Sequence, residues 1–367
     1  MTDVRLGASG YGGRGRAMGT HGTRKARIIV AGVLLLLVAV TVLTLAACGG
    51  SSTTASTTTA SNTPSATATT ALPQAVITDY PATPLPAPSA AGTLAFMKIL
   101  KPGAGGNGDI YVANTDGTGL KRLTNGPSWE DHPTWSPDGR RIAYSQWQGD
   151  DPAEGADIWV MNADGSGKVR LTTGAVHGVW PTWSPDGKHI AFTQEPRELI
   201  SVMNPDGSGM RAVGKGIKFS YATDYGSGGG LAWAPDGRIL FMRSGEVWAV
   251  NLDGSGPEQL TKGADLGTFA MSPDGTQIVL ENSVGELSVS PLQGGGTPLK
   301  LAQSVSFLMK DPWAETSWSP DGGTLAIASS GLQGMNGSPV YLVGADGSGL
   351  SAVPGVELAN DPAWRPE

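Results

Sequence analysis

Five near-copies of one line run through this chain: WSPDGRRIAY from Trp135, WSPDGKHIAF from Trp183, WAPDGRILF from Trp233, MSPDGTQIVL from Met271 and WSPDGGTLAI from Trp318. A sixth copy begins at Trp364 and reads WRPE. The steps between copies are 48, 50, 38, 47 and 46 residues. A line repeated at that period marks one supersecondary unit used over and over, each burying its apolar face against the next.

One full unit reads RRIAYSQ, a variable loop, DIWVMNADGSGKVRLTTG, a second variable loop and PTWSPDG. It offers four short strand signals: β-branched and aromatic runs in IAY and IWV, alternation in VRLT, and a closing PTW. The joints are specified chemically. Pro-Asp-Gly presets φ at one turn position and supplies glycine where φ becomes positive. Asp-Gly-Ser-Gly does the same at Asp116 (as DGTG), Asp164, Asp206, Asp253 and Asp346. Four strands per unit make one antiparallel sheet, and the period of 38 to 50 residues is that of propeller blades. Gly 54 and Pro 26 in 367 residues fit such a turn-rich, all-β chain.

The first unit starts at TLAFMK (Thr93–Lys98) with no inner strand before it, and the last ends in PAWRPE with one to spare. Placing the spare strand beside Leu94–Met97 closes a ring of six blades with only short, protected edges. The repeated Trp and Phe side chains are expected to pack between blades.

PTWSPDGRRIAY with DIWVMNADGSGKVRLT resembles the TolB-type six-bladed propeller family, and the resemblance recurs in every blade of 93–367. It implies the fold; this blade type serves many roles. The family includes periplasmic scaffold propellers and the propeller halves of prolyl-peptidase-like enzymes. This sequence departs from the first in lacking a separate N-terminal α/β domain and from the second in lacking a hydrolase domain. TolB's partner contacts therefore do not carry over.

Alternating strand direction puts the WSPDG and DGSG turns on one face. The variable loops share the other, and sites usually sit on loops that a rigid scaffold presents. The loops before each inner strand carry the candidate binding residues of a channel mouth: Trp129, Glu130, Asp131, His132, His177, Trp180, Tyr221, Asp224, Tyr225, Asp265, Asp311, Trp313, Glu315 and Asp361. Aromatic faces beside carboxylates suit a sugar or a cationic peptide. The opposing reading makes the acids a solvated rim and the rings blade packing.

No catalytic residue is expected. A repeated DGSG turn cannot be a nucleophile elbow in every copy. Of four histidines only His132 and His177 fall on the variable face. With Asp131 they offer a metal set similar to that of some propeller glycan lyases. No close HxH or HxxxH spacing supports it, so no metal or cofactor is expected. The DGSG turns lack the further acids of a calcium loop.

RKARIIVAGVLLLLVAVTVLTLAAC has the basic cluster, apolar run and small residues of an export signal. Leu45-Ala46-Ala47-Cys48 resembles the bacterial lipobox, and Cys48 is the single cysteine. Lipidation at Cys48 is expected; an uncleaved anchor is the alternative. Met18 offers a more ordinary start. The organisation is thus a signal over 1–47, a lipid-anchored Ser/Thr/Ala/Pro linker over 48–92 too polar to fold, and a propeller over 93–367.

Six of the 25 basic residues and one of the 32 acids fall in 1–47. The remainder holds 19 basic against 31 acidic groups, a balance of −12, which excludes nucleic acid as the partner. The expected protein is a membrane-anchored, extracytoplasmic, monomeric lipoprotein. Its loop face binds a protein, a peptide or a cell-wall glycan without catalysis. The alternative is a polysaccharide lyase or hydrolase working at the same mouth.

Overall fold

The computed structural model describes residues 91–100, 107–148, 155–174, 176–195, 199–214, 230–262, 266–282, 285–292, 299–301, 314–329 and 337–367. All belong to the second of two compact units, Thr78–Glu367. The first unit, Met1–Ile77, lies outside the described residues, and so do Cys48, the export segment and nearly all of the linker. Among the described residues no helix is long and apolar enough to cross a membrane.

Among the described residues the regular structure is strand throughout. The first blade holds β1 (Thr93–Ile99), β2 (Gly108–Asn114) and β3 (Lys121–Arg122). The second holds β4 (Glu130–Trp135), β5 (Arg141–Trp147), β6 (Ala156–Asn162) and β7 (Val169–Arg170). The third runs β8 (His177–Trp183), β9 (Ile190–Glu195), β10 (Leu199–Met203) and β11 (Arg211–Ala212). The fourth runs β12 (Ala232–Trp233), β13 (Ile239–Arg243), β14 (Glu246–Val250) and β15 (Glu258–Gln259). The fifth runs β16 (Leu266–Met271), β17 (Gln277–Asn282), β18 (Leu287–Pro291) and β19 (Leu299–Lys300). The sixth runs β20 (Ala314–Trp318), β21 (Thr324–Ser329), β22 (Tyr341–Gly344) and β23 (Ser351–Ala352). The last strand, β24 (Ala359–Trp364), returns to the first blade.

Six four-stranded antiparallel sheets result, the first ordered β24-β1-β2-β3. Leu94 pairs with Trp364, Ala95 with Ala363, Met97 with Asn360 and Lys98 with Ala359. The backbone N–H of Arg365 adds a bond to Thr93 O at 2.9 Å. The ring closes as the spare sixth copy requires.

Middle strands read as unbroken apolar runs because a neighbouring blade covers each face. Phe96 packs with Ala326, Leu342 and Trp364 on one side. Ala95 and Met97 pack with Trp135, Ile142 and Tyr144 on the other. Three of the five repeat tryptophans also bond across blades, each in the same way. The indole N–H donates to the carbonyl just before the preceding blade's equivalent residue: Trp135 to Ala363 O (3.2 Å), Trp233 to Thr182 O (3.2 Å) and Trp318 to Ala270 O (3.1 Å); the Trp183 and Trp364 indoles have no hydrogen-bond partner.

The turns are self-bonded. In SPDG, the Ser136 hydroxyl donates to Asp138 Oδ1 at 2.5 Å and accepts from Arg141 N at 2.9 Å, while Gly139 sits at φ 63°. In DGSG, Asp164 Oδ1 accepts from both Ser166 N (2.9 Å) and Ser166 Oγ (2.6 Å), and Gly165 sits at φ 87°. These turns are complete without an ion.

Candidate functional site

The inner strands β24, β4, β8, β12, β16 and β20 surround a central cavity of about 460 Å³. Counting back three residues from the repeat tryptophan, or from Met271 in the fifth blade, gives His132, Trp180, Gly230, Thr268, Glu315 and Asp361. All six line the cavity. This register position is a ring around the channel, on the side where the variable loops enter each inner strand.

Three members of the ring have a special backbone. His132 (φ 50°), Trp180 (φ 54°) and Asp361 (φ 53°) adopt the left-handed region, and each precedes a proline. Proline disfavours the right-handed region for the residue before it, and the pairing register shifts at all three places. Such a conformation costs ~1–3 kcal/mol per residue and persists where neighbours enforce it. Here the enforcing bonds are visible. Asp361 Oδ2 accepts from His132 N at 2.9 Å. Glu315 Oε2 accepts from Asp361 N at 2.6 Å. The Ser145 hydroxyl accepts from Trp180 N at 3.2 Å. Carboxylates of one blade thus fix the backbone of the next.

The imidazole of His132 is the hub. Its Nδ1 lies 2.9 Å from Asp131 Oδ1, and its Nε2 lies 3.4 Å from Asp361 Oδ1 and 3.8 Å from Glu315 Oε1. The indole of Trp180 donates to Nε2 at 2.8 Å, meeting the imidazole edge-on at 81°. Asp131 is held from behind by the Trp147 indole at 2.7 Å.

Charge is concentrated here. Burial pushes the Glu315 carboxyl well above the usual range, and neighbouring Asp361 pushes it the same way. Burial lowers the His132 pKa, but Asp361 and Asp131 outweigh it and hold the ring up at about 9. The acids favour an imidazolium, whereas an indole N–H can only donate and so needs a lone pair on Nε2. The geometry seen is therefore that of the neutral ring with its proton on Nδ1. Protonation at Nε2 requires Trp180 to turn away.

Of the candidates named from sequence, His132, Trp180, Glu315 and Asp361 meet at the channel. Asp131, 5% exposed, sits behind the imidazole rather than on the rim. Glu130, 2% exposed, accepts bonds from Thr124 Oγ1 (3.2 Å) and Gln146 Nε2 (3.1 Å), away from the channel lining. Burial, helped by Asp109, lifts its pKa to about 8. Strand alternation and the register shift at His132 allow only one of Glu130, Asp131 and His132 to face the channel. Trp129 packs on the core of the first two blades, and His177 lies against Gly155, outside the channel lining. Tyr221, Asp224, Tyr225, Asp265, Asp311 and Trp313 lie outside the described residues. Sequence reasoning passed over Thr268, Ser145 and Trp147. The fixed offset from the repeat tryptophan would have found the first.

His132, Glu315 and Asp361 each present one donor atom, all within 4.8 Å of one another. The arrangement can hold a cation.

A family model described as the TolB beta propeller domain matches residues 86–220. The structure is similar to TolB from Acinetobacter baumannii at 20% identity, covering 75% of this chain and 67% of that one, with a TM-score of 0.58. It is similar to a chain of a nidogen/laminin complex at 12% identity, covering 75% and 98%, with a TM-score of 0.54. A putative TolB from Agrobacterium tumefaciens is similar at 15% identity, covering 76% and 100%, with a TM-score of 0.50. No curated protein matches the sequence. At these identities the likeness is one of fold: the chain carries a TolB-like six-bladed β-propeller.

Proposed function

We propose that this TolB-like propeller is a non-catalytic binding module, displayed outside the cytoplasm on a lipidated Cys48, that receives a protein or peptide on its loop face. The channel mouth carries the reading. Three non-glycine residues there, His132, Trp180 and Asp361, are held in the left-handed region by carboxylate and hydroxyl bonds. Enforced strain of this kind clusters at sites that bind or switch.

Two further observations favour a protein over a glycan. The two candidate tryptophans among the described residues are engaged: Trp129 packs on the core and Trp180 bonds His132. In the segment leading into β24, Leu358 is 38% exposed at φ 54°, an apolar anchor beside an acidic mouth. One similar fold occurs in a nidogen/laminin complex.

The test is crosslinking on intact cells with a photoreactive residue at Leu358, and at Leu120 beside the opposite turns as the control. A protein adduct from Leu358 alone, weakened by Glu315→Gln, supports the reading. Equal labelling from both positions, or a blank result with a positive glycan array, contradicts it. Polysaccharide cleavage by the purified chain would favour the enzyme alternative. Metabolic labelling with a fatty-acid analogue, lost in Cys48→Ser, checks the tether.

A further inference from the structure

We propose that the channel mouth binds a divalent transition-metal ion through His132 Nε2, Glu315 Oε1 and Asp361 Oδ1. The site lies on the face assigned to a partner but needs no partner, because it rests on these ligands alone.

The donors are already close to ligand spacing. Nε2 is 3.4 Å from Asp361 Oδ1 and 3.8 Å from Glu315 Oε1, and all three fall within 4.8 Å. Metal bonds of ~2.0–2.2 Å set neighbouring donors ~2.9–3.6 Å apart, so the two spacings from Nε2 are within a few tenths of an ångström of that range, and the widest spacing in the set, at up to 4.8 Å, closes by about 1 Å on ligation. They come from one register position on three inner strands, β4, β20 and β24, which are rigid supports rather than loops.

Each ligand is also oriented from outside the cluster centre. Asp361 Oδ2 is held by His132 N and Glu315 Oε2 by Asp361 N, which leaves Oδ1 and Oε1 as the oxygens nearest Nε2. Nδ1 faces Asp131, whose other oxygen takes the Trp147 indole N–H. A carboxylate behind a ligating histidine is the usual second layer of a metal site. Independently of these bonds, Asp131 Oδ1 and His132 Nδ1 are both buried and lack an aligned hydrogen-bond partner, although they are 2.9 Å apart.

The Trp180 N–H stands on Nε2, where the ion would bind. Ion entry must displace the indole, so binding has an optical reporter. One imidazole and two carboxylates with open positions suit Zn²⁺ or Mn²⁺; Ca²⁺ prefers more oxygen ligands. The remaining positions open onto the cavity.

The experiment titrates chelator-stripped full-length protein with Zn²⁺ and with Mn²⁺. Equilibrium dialysis with elemental analysis measures the bound ion, and tryptophan fluorescence follows Trp180. One ion per chain is expected, with a fluorescence change that is lost in Trp180→Phe. Affinity should fall at least ten-fold in His132→Ala, Glu315→Gln and Asp361→Asn, and stay unchanged in His177→Ala and His189→Ala. Glu315→Gln keeps an oxygen for the Asp361 N–H, so it carries the test should His132→Ala fail to fold. Absence of saturable binding by either ion, or a stoichiometric ion retained in Glu315→Gln and Asp361→Asn, overturns the proposal.

Discussion

Turn aspartates tie charge to fold most directly. The Ser184 hydroxyl and the Lys188 N–H hold the Asp186 carboxyl down at about 2. Hydroxyl and backbone donors lower Asp138, Asp164, Asp206, Asp274 and Asp321 in the same sense. A carboxyl whose folded pKa lies below its unfolded value stabilises the fold above that unfolded value, near 3.8 here, and loses the contribution as pH falls through the folded one. Thermal unfolding by circular dichroism should show a midpoint that drops between pH about 4 and about 2. Asp186→Asn should lower the midpoint at neutral pH and flatten that acid slope. At the mouth, Trp180→Phe removes the donor that competes for His132 Nε2. A hydrogen bond is worth ~1 kcal/mol net, so calorimetry should show Zn²⁺ binding tightened about five-fold.

At the scale of the element, the inner strand does two jobs: its tryptophan locks neighbouring blades, and the residue three positions earlier faces the channel. The Trp318 indole bonds Ala270 O, whereas the equally buried Trp364 indole N–H has no hydrogen-bond partner. Urea unfolding should therefore find Trp318→Phe destabilising by about 1–2 kcal/mol and Trp364→Phe closer to neutral. Comparable losses in both would mean packing alone decides. The strands and turns were legible in the sequence because their chemistry is local: a proline, an aspartate and a glycine in fixed order specify each joint. The cluster of His132, Glu315 and Asp361 was not, because His132 and Asp361 are separated by 229 positions and meet only when the ring closes. Histidine spacing carries no trace of that cluster for the same reason, since its three members sit on three different strands. Glu130 and Asp131 read as rim residues because a register shift at the following residue leaves no mark in composition.

For the whole molecule, everything at the mouth depends on β24 crossing from the end of the chain to β1. Closure puts Asp361 beside His132 and Glu315, and it supplies the carbonyl that holds Trp135. Deleting 359–367 should abolish cooperative unfolding rather than trim it, because the first blade loses its inner strand and its neighbours lose a packed face. The most direct measurement is a disulfide across that seam. In a Cys48→Ser background, Lys98→Cys with Ala359→Cys places two thiols on residues paired directly across the strands. Spontaneous intramolecular crosslinking in the native protein, with a higher midpoint than the reduced form, is the expected result. Thiols that stay free under native conditions, or that link only between molecules, would contradict closure and with it the site that closure builds.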